Sequence, residues 1–428
     1  MSTATAERVP LFSALALRNY RLFWTGGFIS NIGTWMARVA QDWLVLTILT
    51  NNSAIALGIV TGLQFLPTAL LSPWAGSLAD RFDKRKLLML TQAGLGITGT
   101  VLAVLVIGGW VTLWQVYLLA FLQGVAAAFD TPARQAIAPE MVPEKLIGNA
   151  VGLNSTSFHS ARLIGPAVAG LTIAVWGVGP ALAINALSFI ATLAALFWMN
   201  PAELKPSPRG PSSGGVREGL RYVRRRPDIL LVLFLIFMLG TFGLNFQLTN
   251  ALMATSVFHV GPTEFGYMGS VMAIGSLSAS LIAAGRTEVP MRLIVGALAV
   301  FSAILVVMSV APSFLLYLGL LLLAGFSALT VMTAANTSVQ LSVEPVMRGR
   351  VMALYMAIFL GGTPIGSPLL GWIGDAWGPR WTIAIGGIAC GVSATVAVVY
   401  LLRRRGWAWP WRRASLDMAY VALPDAVR

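Results

Sequence analysis

The chain has 428 residues, of which 57% are hydrophobic and 11% charged, and its mean hydropathy is +0.78. A soluble domain carries roughly 25% charged residues, so there are too few here to coat a water-exposed surface. The net charge of +13 raises the question of nucleic acid, but the basic residues cluster in alternate loops between apolar stretches, which is a topology signal.

At about 20 apolar residues per crossing plus a short loop, the length holds about a dozen membrane spans. The segment 1–21 is polar and mixed, so the first span is also the targeting element. Apolar segments then fall at 22–49, 55–79, 87–108, 111–133, 149–175 and 179–199. A second set follows at 229–256, 263–285, 291–310, 312–336, 350–374 and 381–402. The expected division is a cytoplasmic segment 1–21, a six-helix bundle 22–200, a linker 201–227, a second bundle 228–402 and a cytoplasmic tail 403–428. The end of the linker, Val216 to Arg226, reads as a short basic helix on the membrane surface. In the tail, Trp407, Trp409 and Trp411 suit the interface.

Of the 29 Lys and Arg residues, all but Arg38, Arg162 and Arg380 fall in one set of alternating loops and the two termini. That asymmetry predicts an even span count with both termini cytoplasmic. The halves also repeat. Ile164, Gly165, Gly170, Trp176 and Gly177 recur as Ile365, Gly366, Gly371, Trp377 and Gly378, at a constant offset of 201. Gly58, Asp80 and Lys84 face Gly266, Glu288 and Arg292 at an offset of 208. Parallel six-span repeats are how many alternating-access transporters are built.

The loop after span two reads Gly76-Ser77-Leu78-Ala79-Asp80-Arg81-Phe82-Asp83-Lys84-Arg85-Lys86. Here the chain resembles the major facilitator superfamily, with Asp83 standing where that family usually has glycine. The resemblance implies an all-α membrane protein of twelve transmembrane helices in two parallel six-helix repeats. It also implies a gate at this loop, formed by Gly76, Asp80, Arg81, Lys84 and Arg85, with Lys84 or Arg85 bridging to Asp130 at the end of span four. Span five contains Gly165, Pro166 and Gly170, similar to the Gly-Pro-x-x-Gly-Gly element of the exporter branch. Ser157, Ala161, Gly165 and Ala169 form a small-residue stripe along it. Asn19-Tyr20-Arg21, Ser30 to Met36, Asp130 to Pro139 and Arg348 to Met352 resemble the transmembrane secretion effector group, which includes enterobactin exporters. That resemblance runs from about Arg18 to Arg403 and implies efflux without naming a substrate. The arginine that many drug–proton antiporters carry four residues before the span-four glycine is absent: the glycine is Gly124 and the site holds Ala120.

Ionisable residues inside spans are costly and point to function. The coupling candidates are Arg38 and Asp42 in span one, spaced to pair at i and i+4, and His159 and Arg162 in span five. Two readings stand for Asp42: one member of a permanent Arg38–Asp42 ion pair, or a proton carrier whose behaviour Arg38 tunes. Gln41, Gln64, Phe65, Gln123, Asn154, Asn245, Gln247 and Asn336 are the candidates for lining a substrate cavity.

No lysine follows a glycine, which excludes a phosphate-binding Gly-Lys-Ser/Thr loop, and no hydrolase or metalloprotease motif is present. One cysteine, Cys390, and two separated histidines give neither a disulfide nor a Cys/His metal site, and no cofactor is implied. The expected protein is therefore not an enzyme. It is a monomeric secondary transporter of the bacterial inner membrane, exporting a small amphipathic molecule (siderophore, drug or metabolite) against protons. Partners are the substrate, protons and the lipid bilayer, with no nucleic acid. An importer or uniporter on the same fold, or a non-transporting membrane sensor, are the alternatives.

Overall fold

The structure, a computed structural model, describes residues 10, 12–205, 216–284 and 289–405. At 72–73, 76–81, 216–217, 284, 345–346 and 404–405 the backbone alone is described. The Gly76, Asp80 and Arg81 side chains, Glu288 and the tail tryptophans therefore lie outside the described residues.

Fourteen helices account for nearly all of the described chain. The first half contains α1 (Arg18–Trp43), α2 (Ala54–Arg81), α3 (Lys84–Ile107), α4 (Leu113–Ile137), α5 (Ile147–Trp176) and α6 (Val178–Trp198). A short helix α7 (Val216–Arg224) leads into the second half. There α8 (Pro227–Met238) and α9 (Phe246–Leu252) are two pieces of one crossing, joined by a π-type turn at Leu239–Gly243. They are followed by α10 (Pro262–Ala284), α11 (Met291–Ser309), α12 (Phe314–Ser342), α13 (Pro345–Trp377) and α14 (Pro379–Arg405).

Among the described residues eleven segments are long and apolar enough to cross a bilayer. The twelfth crossing is α1, which carries Asn31, Arg38, Gln41 and Asp42 and is too polar to face lipid along its length. It is sheltered instead. A Cβ added at Gly26 would lie 2.9 Å from the Ala191 carbonyl of α6, and one at Gly165 would lie 2.5 Å from the Trp35 Cβ. Small residues let α1 sit against α5 and α6, so protein rather than lipid solvates its polar groups.

The opposite faces of the bundle meet lipid. Leu90, Ile97, Val101 and Val104 form an exposed apolar stripe down α3. Trp110, Trp114, Trp176, Trp377 and Trp381 are exposed at the helix ends away from the Lys84–Arg85 loop, as an interfacial aromatic belt requires. We call that end the far face and the loop-bearing end the basic face.

The sequence repeat is reproduced in backbone geometry. Gly177 and Gly378 end α5 and α13 with φ of +84° and +99°, a region that side chains with a Cβ disfavour. After α1 the Asn52 N–H bonds the Leu46 carbonyl at 3.0 Å; after α9 the Val260 N–H bonds the Ala254 carbonyl at 2.9 Å. Both residues of each bond are related by the 208 offset. Each bond closes a π-type turn, Leu44–Leu49 in one half and Met253–Val257 in the other.

The halves meet along two seams related by the same repeat. In one, Gly170 of α5 lies against Pro262 and Thr263 of α10, and Gly266 returns the contact against Pro166 and Gly170. In the other, Gly371 of α13 lies against Ala54 and Ile55 of α2, and Gly58 lies against Ser367 and Pro368. These contacts cluster toward the far face, so the molecule is closed on that side.

The α7 helix does not lie free on a membrane surface. Glu218 pairs with Arg350 at 3.0 Å, Gly219 sits over Arg350 of α13, and Val223 is buried. Arg221 and Arg224 face outward while Gly219 and Val223 dock.

Candidate functional site

The chemistry-bearing side chains collect at mid-depth, around one indole. Gly165 permits Trp35 of α1 to press against α5, and three groups surround its ring. The Arg38 guanidinium carbon lies 4.7 Å from the ring centroid, that of Arg162 lies 5.5 Å away, and Phe158 meets it edge-on at 5.9 Å. Phe65 of α2 backs Arg38 at 5.8 Å, and His159 is edge-on to Phe158 at 5.7 Å. Cation–π contacts of this kind hold a guanidinium's plane without neutralising its charge.

Arg38 and Asp42 do not form the ion pair that their spacing permits. The guanidinium turns toward the aromatic rings of α1 and α2. The Asp42 carboxylate is 2% exposed and accepts from Gln247 Nε2 of α9 at 2.8 Å, a hydrogen bond between the two halves. Trp43 stacks on Phe265 of α10 at 5.9 Å just beyond it.

Among the described residues neither Arg38 nor Arg162 donates a hydrogen bond to the protein or comes within salt-bridge distance of a carboxylate. The sealed side-chain atoms left without partners are Gln41 Nε2, Gln92 Oε1, Asn185 Oδ1 and Thr241 Oγ1. The guanidinium nitrogens are not among them. Both arginines are half-buried as residues, and their guanidiniums are left without a protein acceptor.

The polar positions expected to line a cavity divide. Asn245 is buried and used up inside the second half, donating to the Thr241 carbonyl at 2.7 Å and accepting from Ser367 Oγ at 2.5 Å. Asn336 accepts from Gln340 at 2.6 Å, and Asn154 lies 3.5 Å from the Tyr20 hydroxyl. Gln247 is spent on Asp42, while Gln41 keeps an unpartnered amide one turn from Arg38. Gln64 and Gln123 are half-buried.

On the basic face the expected bridge to Asp130 is not made. Lys84 pairs with Glu140, which follows α4, and Arg85 caps the end of α6 by donating to the carbonyls of Leu196 at 2.6 Å and Phe197 at 3.0 Å. Asp130 is held within its own half by Arg134 at 3.1 Å, Gln92 at 2.7 Å and Thr91 at 2.9 Å. The reason is reach and competition: an i,i+4 arginine and two α3 donors saturate Asp130 before a loop base can approach it. Asp83 caps α3 by accepting from the Arg85 and Lys86 amides at 2.9 and 3.1 Å, which accounts for an acid at that position.

Sequence reasoning missed three participants. Glu140 carried no periodic signal. Trp35 stands one turn before Arg38, a spacing that could have marked it. Asp375, near the end of α13, holds the start of α2, accepting from Ser53 Oγ at 3.1 Å and from the Ala54 and Ile55 amides at 2.6 and 3.0 Å. A carboxylate on a helix N-terminus is worth about 1 kcal/mol. In Asp375→Ala, hydrogen exchange at the Ala54 and Ile55 amides should therefore quicken about fivefold. Unchanged protection in a mass-spectrometric exchange experiment would show that the clamp contributes nothing.

Two parallel six-helix halves, meeting along paired seams around a charged mid-depth site, define a multi-pass membrane transporter of the major facilitator type. The family model described as "Transmembrane secretion effector" matches residues 10–411, and the chain belongs to that family, whose members are transporters rather than enzymes. It is 26% identical to the staphyloferrin A transporter of Staphylococcus aureus over 90% of this chain and 96% of that protein. It is 24% identical to macrolide efflux protein A of Streptococcus pyogenes, over 89% and 96%. The multidrug efflux pump Tap of Mycolicibacterium fortuitum is 26% identical over 81% and 87%. Among solved structures, a nucleoside transporter superposes with a TM-score of 0.71 at 12% identity, covering 91% of this chain and 99% of that one. A bacterial homolog of the human lysosomal transporter Spinster, inward-facing and occupied, gives 0.68 at 17%, covering 93% and 98%. These structural matches speak to fold.

Proposed function

We propose that this chain is a proton-coupled exporter of a small amphipathic molecule. It works as a monomer in a bacterial inner membrane, with the basic face and both termini in the cytoplasm. The placement of 26 of the 29 basic residues on one side supports that orientation. Two relatives are named for efflux, which supports the direction.

The observation that carries the coupling is the Asp42–Gln247 bond. A carboxylate 2% exposed, with no cation in contact, is joined to the other half by a single amide. Adding or removing its proton changes the charge on a contact between halves, and a buried charge without a pair is costly. Proton loading thereby biases how the halves sit against each other.

The test uses inside-out vesicles with an acid interior and a pH-sensitive dye. Siderophores, macrolides and cationic dyes are added to wild type, Asp42→Asn and Arg162→Ala. Substrate should collapse the gradient in the wild type only. An Asp42→Asn protein that transports with proton coupling intact would rule out Asp42 as the carrier.

A further inference from the structure

The repeat supplies an internal control for the mid-depth charges. At the 208 offset Arg38 corresponds to Phe246 and Asp42 to Asn250; at the 201 offset Arg162 corresponds to Thr363 and His159 to Leu360. The second half makes the same seams and the same backbone turns with no charge at any of these positions. Building the fold therefore does not require Arg38 or Arg162.

Their surroundings also do not satisfy them. Two guanidiniums share the Trp35 ring, and Asp42, the acid one turn from Arg38 on α1, is bonded to Gln247. Like charges on one indole repel, and the cluster of Arg38, Arg162 and Asp42 has formal net charge +1. Half-buried arginines that lack a protein acceptor and stand over Trp35 and Phe65, with Phe158 edge-on to the same indole, present unpaired donor forks next to aromatic planes. A guanidinium fork matches a carboxylate bidentately.

From this arrangement we infer that the mid-depth site binds an organic anion, a carboxylate joined to a planar or aromatic body. Arg38 and Arg162 take the carboxylate, and Trp35, Phe65 and Phe158 take the plane. This deepens the transporter reading and rests on it, because it names the charge of the molecule carried.

The test uses purified full-length protein in nanodiscs, titrated calorimetrically with three probes of one shape: 2-naphthoate, 2-naphthamide and 2-naphthylmethylammonium. Naphthoate should bind, and the amide and ammonium should bind at least tenfold more weakly. Arg38→Gln and Arg162→Gln should each weaken naphthoate at least tenfold, while Arg162→Lys, which keeps the charge but loses the fork, should weaken it less than Arg162→Gln does. Unchanged gel-filtration profiles and apparent Tm separate lost binding from lost folding. Equal binding of the three probes, or naphthoate affinity unchanged in the Arg38→Gln/Arg162→Gln double variant, would overturn the anion site. Equal competition by chloride would overturn its aromatic part.

Flux in proteoliposomes keeps the two readings apart. Naphthoate binding with no proton-coupled flux of any compound in the panel would sink the proton-coupled export reading and leave the anion site standing. Proton-coupled flux of a neutral or cationic compound, with no naphthoate binding, would do the reverse.

Discussion

Replacing Gly371 or Gly170 by alanine should cut transport at least about fivefold while leaving membrane insertion intact. A Cβ at Gly371 would lie 2.5 Å from the Ala54 carbonyl oxygen and 2.9 Å from the Ile55 Cα; one at Gly170 would lie 2.5 Å from the Pro262 carbonyl oxygen and 3.0 Å from the Thr263 Cα. These obstacles are backbone and cannot rotate away, so the helices must part. Overpacking costs about 1–3 kcal/mol, and since about 1.4 kcal/mol is tenfold, the far-face-closed state loses roughly five- to hundredfold in population. Spin labels at Asn51 and His259, on far-face turns of the two halves, should report a longer distance in either variant. Gly296 and Gly319 provide the control, since a Cβ at those positions meets nothing within 4 Å. Alanine there should leave both transport and the label distance unchanged. If Gly371→Ala behaves like Gly319→Ala, the seam does not govern closure.

The second large effect belongs to the basic face. Lys84 and Glu140 are 14% and 6% exposed, and removing the lysine leaves a carboxylate buried beside an apolar cluster that includes Leu88, Ile137 and Met141. Breaking a buried pair by deleting one member costs about 3 kcal/mol. At about 2 °C per kcal/mol for a unit the size of one six-helix half, Lys84→Met should lower the apparent Tm by about 6 °C. Removing the charge as well, in Lys84→Met/Glu140→Gln, should restore at least half of that loss. Tryptophan fluorescence on the detergent-solubilised protein reads both variants. A double variant less stable than the single would mean that the carboxylate matters for contacts other than Lys84.

The fold was legible because lipid imposes a simple rule: each crossing must be long, apolar and helical. The expected segments therefore overlie the observed helices, and the repeat could be read from glycines whose spacing is set by seam geometry. Charge placement was harder to convert into contacts. Spacing said that Arg38 could reach Asp42, yet the competitors were on other helices: Trp35 a turn away, Phe65 across on α2, and Gln247 more than 200 residues along. Lys84 likewise found Glu140, because Arg134, Thr91 and Gln92 already surround Asp130. Local spacing lists the partners available along one helix; tertiary packing decides which are free. The Asn19-Tyr20 pair shows the same limit. Its role is to tie α1 to α6 and α5, through reciprocal 2.9 Å bonds with Asn200 and a 2.7 Å bond to the Ala150 carbonyl.

The Asp375 clamp is unequal across the repeat, and this bears on how the far face parts. Position 174, its counterpart at the 201 offset, is alanine, so the α5–α10 seam has no carboxylate at the matching place. Two doors hung on the same frame thus have one fastened edge and one loose one. The α5–α10 seam should therefore part before the α2–α13 seam, an order that spin-label pairs across each seam would read. If the protein exports as proposed, an opening on that flank would hand a molecule with an oily body to the outer edge of the bilayer before it met bulk water.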